Sequence, residues 1–331
     1  MTRVRTVPLA FAAAASVALS ALPASPAVAQ SQALVTNERI LIDYVPPRHP
    51  VYARGLRPDD PVQAENYKKA AARYEQLSAI YERLKSRRVL EEFSQFLAPL
   101  RLPIELRVRT AECGVVNAFY DPSDSVITLC YEYVDNVEQT APKTTTPEGI
   151  TRQDAIVGRI VGVLLHEGGH AVSNLLQLPV LGREEDTADQ VAGYVMVQFG
   201  PEVAKTLIKG EAYGWNQANR RNVPLYWDSH STDLQRQHTY LCIAYGRYPE
   251  QFEEFVKLGW LPKARAPKCA DEYRQIERAF AKSIRPHVDP ERLKAVLART
   301  WLPAVPPPAP PSAQPPAPSP EPDGVRPSPS P

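Results

Sequence analysis

His166-Glu167-Gly168-Gly169-His170 is the stretch on which the reading of this chain turns. Residues four apart on a helix share one face, so His166 and His170 present their imidazoles together. Two such rings can hold one zinc ion, and the intervening Glu167 can work as general base on a metal-bound water. Fifteen residues beyond His170, Glu185 and Asp189 repeat the four-residue spacing on a second helical stretch. Glu185 is the predicted third ligand. Its neighbours Glu184 and Asp186 are rivals, but of the three only Glu185 has an acidic residue four positions on. Asp189 is predicted to accept a hydrogen bond from the free ring N–H of a ligand histidine, which fixes its tautomer; it is also the next candidate ligand. Two histidines and one carboxylate leave a fourth position open. The pattern therefore predicts one zinc ion per chain and hydrolysis of peptide bonds.

Working outward, Thr151 and Asp154 match a helix capping box. Ile156, Ile160, Val163, Leu164 and Val172 mark the buried side of the helix that carries the motif. Gly168 and Gly169 each cost roughly 1 kcal/mol relative to alanine inside a helix. Their presence predicts that substrate or a neighbouring backbone comes close there. Leu178-Pro179-Val180-Leu181-Gly182 breaks the helix, and a second runs from about Arg183 to Phe199. Upstream, the alternation Ile104-Glu105-Leu106-Arg107-Val108-Arg109 predicts a half-buried strand. Asn117-Ala118-Phe119-Tyr120 and Val126 to Tyr131 are the other predicted strands, separated by the turn Asp121-Pro122-Ser123-Asp124. Helical periodicity covers residues 61 to 98, with Tyr67, Tyr74, Leu77, Tyr81 and Leu84 on one stripe. Residues 203 to 300 read as mostly helical. His230, in Trp227-Asp228-Ser229-His230-Ser231, is the candidate for stabilising an oxyanion, before a predicted helix cap at Ser231 and with Asp228 or Asp233 to orient it. His49, His238 and His287 read as structural.

HExxH with a downstream ExxxD resembles the gluzincin branch of zinc metallopeptidases. Asn117-Ala118-Phe119-Tyr120 is similar to the Asn-Ala-Phe-Trp edge strand of thermolysin-like enzymes. That resemblance implies that Asn117 and Ala118 line the substrate cleft. More widely, the mature region resembles DUF4344, a family of exported bacterial proteins described as metallopeptidases on the strength of the zinc motif. The resemblance lies in Glu112-Cys113-Gly114, Leu129-Cys130-Tyr131-Glu132, His166 to His170, Leu178 to Asp186, and Cys242 with Tyr245-Gly246. The expected fold is α+β. A zincin-like core of a small antiparallel or mixed sheet, the metal helix and the second ligand helix is followed by a mostly helical C-terminal part.

The ends of the 331-residue chain read differently from its middle. Residues 1–29 have the charged, apolar and Ala-x-Ala order of a secretory signal. From Pro303 to Pro331, fourteen of 29 residues are proline, which predicts an extended, disordered tail and a possible contact with the cell envelope. The folded domain is expected over 30–302, with 61–98 as a helical annex and residues 30 to 60 able to cover a cleft. Net charge is +1 with no basic block, which argues against nucleic acid and anionic membranes as partners. The expected partner is a peptide or protein, and no stable membrane insertion is expected once the signal is removed. Four cysteines in an exported chain allow three pairings. Cys113–Cys130 and Cys242–Cys269 are favoured because each pair is local. The predicted location is the periplasm or the exterior. Two rival functions remain: a scaffold that keeps the metal only for folding, and a zinc amidase acting on peptidoglycan.

Overall fold

The computed structural model describes residues 33–49 and 61–301, so the predicted signal (1–29) and the proline-rich tail (303–331) lie outside the described residues. In chain order, the first strand, β1 (Ile40–Tyr44), is followed by helices α1 (Pro61–Ser86) and α2 (Val89–Leu97). Strands β2 (Leu106–Ala111), β3 (Ala118–Asp121) and β4 (Val126–Cys130) then lead into α3 (Tyr131–Thr140). The helices α4 (Arg152–Leu175), α5 (Glu184–Met196), α6 (Pro201–Asn219), α7 (Asp233–Arg247), α8 (Pro249–Lys257), α9 (Cys269–Ser283) and α10 (Pro290–Leu297) complete the fold. This is an α+β architecture, mostly helical after the sheet.

The sheet order is β1-β2-β4-β3. β1, β2 and β4 run parallel, and β3 is antiparallel to β4 at one edge. Parallel neighbours need a crossover, which α1 and α2 supply between β1 and β2. In β2, Leu106, Val108 and Thr110 are buried while Arg107 is exposed, which is the predicted alternation. The strand begins two residues later than expected, and Ile104 is half exposed rather than inward. β1 was not foreseen: its Ile-Leu-Ile run is short, although Asn37 and Pro46-Pro47 flank it. It borders β2 at the sheet edge opposite β3, so residues 33–49 do not cover a cleft beside β3.

Three further expectations are corrected. The helical stretch 61–98 is two helices, broken where Arg88 adopts a left-handed backbone with φ 54°. Tyr131 belongs to α3, not to the third strand; buried, it donates to the Val45 carbonyl at 2.7 Å and contacts the Thr110 hydroxyl at 2.8 Å. Val163 is only partly buried and lines a cavity, whereas Ile160, Leu164 and Val172 are buried as predicted. Each such buried aliphatic contributes roughly 1.5–3 kcal/mol of transfer free energy.

Both disulfides have the predicted pairing. Cys113–Cys130 joins the chain just beyond β2 to the end of β4, and Cys242–Cys269 ties α7 to the start of α9. The capping box of Thr151 and Asp154 opens α4. From there the helix runs past β3 and β4 and packs against α5 and α6. No helix among the described residues is long and apolar enough to cross a membrane.

Candidate metal centre

The four-residue spacings place donor atoms from two helices at one point. His166 and His170 on α4 bring their Nε2 atoms to 3.3 Å from each other. Glu185, in the first turn of α5, places Oε2 3.1 Å from His166 Nε2 and 3.3 Å from His170 Nε2. Donors bound to zinc tetrahedrally at about 2.0–2.1 Å lie roughly 3.3 Å apart, so this donor set fits such an ion. The three residues also stand out as a group able to hold a metal. The remaining three-membered group, Cys113, Cys130 and Glu132, is accounted for otherwise: the cysteines form a disulfide, and Glu132 accepts from the Cys113 and Gly114 amides.

A buried layer fixes these donors from behind. Asp189 Oδ1 lies 2.8 Å from His166 Nδ1. With Nδ1–H donating to this carboxylate, the lone pair on Nε2 is left for a metal. Asp189 also accepts from Arg236 Nε at 2.7 Å, from Arg236 Nη2 at 2.6 Å and from the Tyr240 hydroxyl at 3.1 Å. Burial alone would raise the Asp189 pKa, but Arg236 and His166 together hold it well below the usual carboxylate range. Glu184, a rival ligand by sequence, instead approaches His170 Nδ1 at 3.1 Å. Asp186, the other rival, pairs with Arg183 and accepts from the Ser231 hydroxyl at 2.7 Å.

Glu167, Asn117, Ala118 and His230 line one cavity of about 520 Å³ together with the three donors. Burial raises the Glu167 pKa above the ordinary carboxylate value, and the neighbouring His166 and His170 offset part of that rise. Asn117 lies just before, and Ala118 at, the start of the edge strand β3. His230 places Nε2 2.9 Å from Glu185 Oε2 and Nδ1 2.8 Å from Asp228 Oδ1. Asp228, not Asp233, is therefore its orienting partner; Asp233 accepts from Asn222. The cap of α7 is Thr232 rather than Ser231, because Thr232 and Gln235 form the capping box. His238 and His287 do not line the cavity.

The two motif glycines have different roles. A Cβ on Gly169 would lie 2.8 Å from the Ala188 Cα, so this glycine lets α5 approach closely enough for Glu185 to meet the histidines. Gly168 faces Leu97 and Phe93, where a Cβ would make ordinary contacts no closer than 3.6 Å. The expectation of close approach therefore holds for Gly169 and fails for Gly168, and nothing in the structure explains the glycine at Gly168.

Several cavity residues escaped sequence reading. Arg159, Tyr133, Glu211 and Trp215 line the inner part, and Arg236 braces Asp189. Arg159 was legible in principle. Arg159, Val163, His166, Glu167, His170 and Asn174 follow the three- and four-residue steps of one helical face. Glu211 and Trp215 come from α6, within the stretch that reads as mostly helical.

The family model DUF4344, whose description reads "Putative metallopeptidase", matches residues 67–283. No curated protein and no solved structure matches the chain.

Proposed function

The chain belongs to the DUF4344 family, and on that premise we propose that it is an exported zinc peptidase of gluzincin type with a zincin-like core. The observation that carries this reading is the meeting of His166, His170 and Glu185 donor atoms within 3.3 Å of one another, beside Glu167, at the wall of an open cavity. Zinc, when bound by these three side chains, supplies a Lewis acid that acidifies water and polarises a carbonyl.

The chain's own groups divide the remaining work. Glu167 takes the proton of the attacking water and hands it to the leaving amine. Its burial suits that exchange, because it raises the carboxylate's proton affinity toward that of its partners. His230 donates to the oxyanion that develops on the scissile carbonyl. Asp228, 2.8 Å from Nδ1, orients the ring so that Nε2–H is the donating group. Asn117 and the Ala118 backbone hold the peptide along the free edge of β3, in the manner of strand addition. The two disulfides support an oxidising destination.

A purely structural zinc site has no use for Glu167, which is not needed as a ligand. Replacement by glutamine separates the readings. Glu167→Gln is expected to keep the metal and the melting temperature while peptide hydrolysis falls to background. His230→Ala is expected to keep the metal and lose about 10²–10³-fold in kcat. Undiminished hydrolysis by Glu167→Gln would refute the mechanism.

A further inference from the structure

Two arginines line the cavity among the described residues, Arg159 and Arg236, and only Arg236 pairs with the residues that back the metal donors. Arg236 spends its Nε and Nη2 donors on Asp189. Arg159 lies seven residues before His166 on α4, two turns away and on nearly the same face, roughly 10 Å along the axis. Its ion pair joins Nη1 to Glu211 Oε1 at 2.8 Å. A guanidinium carries five N–H donors in a planar fork. The side chain keeps 17% of its exposure, and it lines both this cavity and a smaller one beside Tyr213 and Arg221.

Its neighbours hold this guanidinium in place rather than quench it. Glu211 is nearly fully buried, and its carboxylate occupies the notch left by Gly162, where a Cβ would overlap it. It cannot swing out to meet a ligand. Burial raises its pKa, and the charges of Arg159 and Arg236 offset part of that rise. The Trp215 ring lies 3.9 Å from the guanidinium carbon and fixes its plane. Trp215 Nε1, the Tyr133 hydroxyl and Glu211 Oε2, all on residues lining the same cavity, have no hydrogen-bond partner. Beside one oriented cation, the indole N–H and the phenol hydroxyl are thus left to donate to a carboxylate, with Glu211 Oε2 the one unpartnered acceptor among the three.

We propose that Arg159 is the specificity-determining group of a substrate pocket beside the metal donors, and that this pocket takes an acidic side chain, glutamate or aspartate, of the bound peptide. The assignment rests on the peptidase reading for its biological meaning, but not for its test.

The probes are three blocked amino acids without a free α-carboxylate: the N-acetyl amides of glutamate, glutamine and lysine. Their binding to the metal-loaded chain is measured by calorimetry. The wild type is expected to bind the glutamate derivative about 10-fold or more tighter than the glutamine one, and the lysine derivative weakest. Arg159→Met should bring glutamate and glutamine within about 2-fold of each other. A glutamate preference that survives Arg159→Met would put the carboxylate on the metal and overturn the proposal, as would a wild type that binds all three alike. Should Arg159→Met not fold, Glu211→Gln decides: freeing Arg159 of its partner should strengthen glutamate binding, and unchanged or weaker binding overturns the proposal. Mass spectrometry of a digested protein mixture separates this from the activity itself. Selective binding without any hydrolysis sinks the peptidase reading alone. Hydrolysis with neither selective binding nor acidic residues beside the cut sinks the pocket alone.

Discussion

Asp189 shows how much one side chain at this centre decides. It faces His166, Arg236 and Tyr240 at once and is almost wholly buried. Asp189→Asn keeps the shape but removes the charge that matches the buried Arg236. Breaking one partner of such a pair costs about 3–5 kcal/mol. Loss of the orienting carboxylate should also weaken metal binding about 10–100-fold. Chemical denaturation and a chelator competition would measure the two losses, and wild-type values in both would contradict the role assigned here. Proton competition gives a second test. In the metal-free fold burial would lower the His170 pKa, but hydrogen bonds to Glu185 and Glu184 outweigh it and push the value up to about 9. That proton is therefore held at neutral pH and lost only as pH rises through about 9. A metal needs the neutral ring, so loading must release at least this proton. Apparent metal affinity should rise about tenfold per pH unit from neutrality and level off near pH 9. A pH-independent affinity between pH 7 and 9 would mean that loading releases no proton, so that His170 either is already neutral in the metal-free fold or is not a ligand.

Between α4 and α5 the decisive quantity is separation. Gly169 meets the Ala188 backbone, whereas Gly168 looks onto Leu97 with room for a methyl group. Alanine at the two positions should therefore act with opposite signs. Gly168→Ala gains helix propensity, about 1 kcal/mol, with metal content unchanged. Gly169→Ala overpacks the crossing at a cost of about 1–3 kcal/mol and shifts Glu185 away from the histidines, so zinc per chain falls. Thermal melts and elemental analysis of both variants would check this; equal effects would mean that the close approach at Gly169 does not set the site. Helix existence was largely readable at this scale. The capping box at Thr151, the break at Pro179 and the periodic apolar faces are local signals. β1 and α3 were missed for a physical reason. A five-residue, half-buried edge strand that meets its neighbour through a crossover and a helix that starts directly from a strand both draw their stability from contacts distant in sequence.

Across the whole molecule, the Cys242–Cys269 disulfide spans 27 residues and fastens α9 to α7, the helix that supplies Arg236 and Tyr240. Removing it as Cys242→Ala/Cys269→Ala should cost about 3–4 kcal/mol through the entropy of the unfolded chain. The melting temperature of the variant should match that of the reduced wild type in which Cys113–Cys130 alone is retained; no loss would mean that packing alone holds α9 on α7. The amino-acid sequence by itself determined the donor types, their four-residue spacing, the order of the two ligand helices and both cysteine pairings. Each of these is local, fixed by helical periodicity or by neighbourhood along the chain. Only the tertiary structure decided that Glu184 turns to His170 Nδ1 and Asp186 to Ser231, that Asp228 rather than Asp233 orients His230, and that Arg159, Glu211 and Trp215 reach the same cavity. Those outcomes depend on how closely α4, α5 and α6 cross and on the rotation of each helix about its axis. Long-range packing sets both, and a residue pattern within one helix carries no information about them.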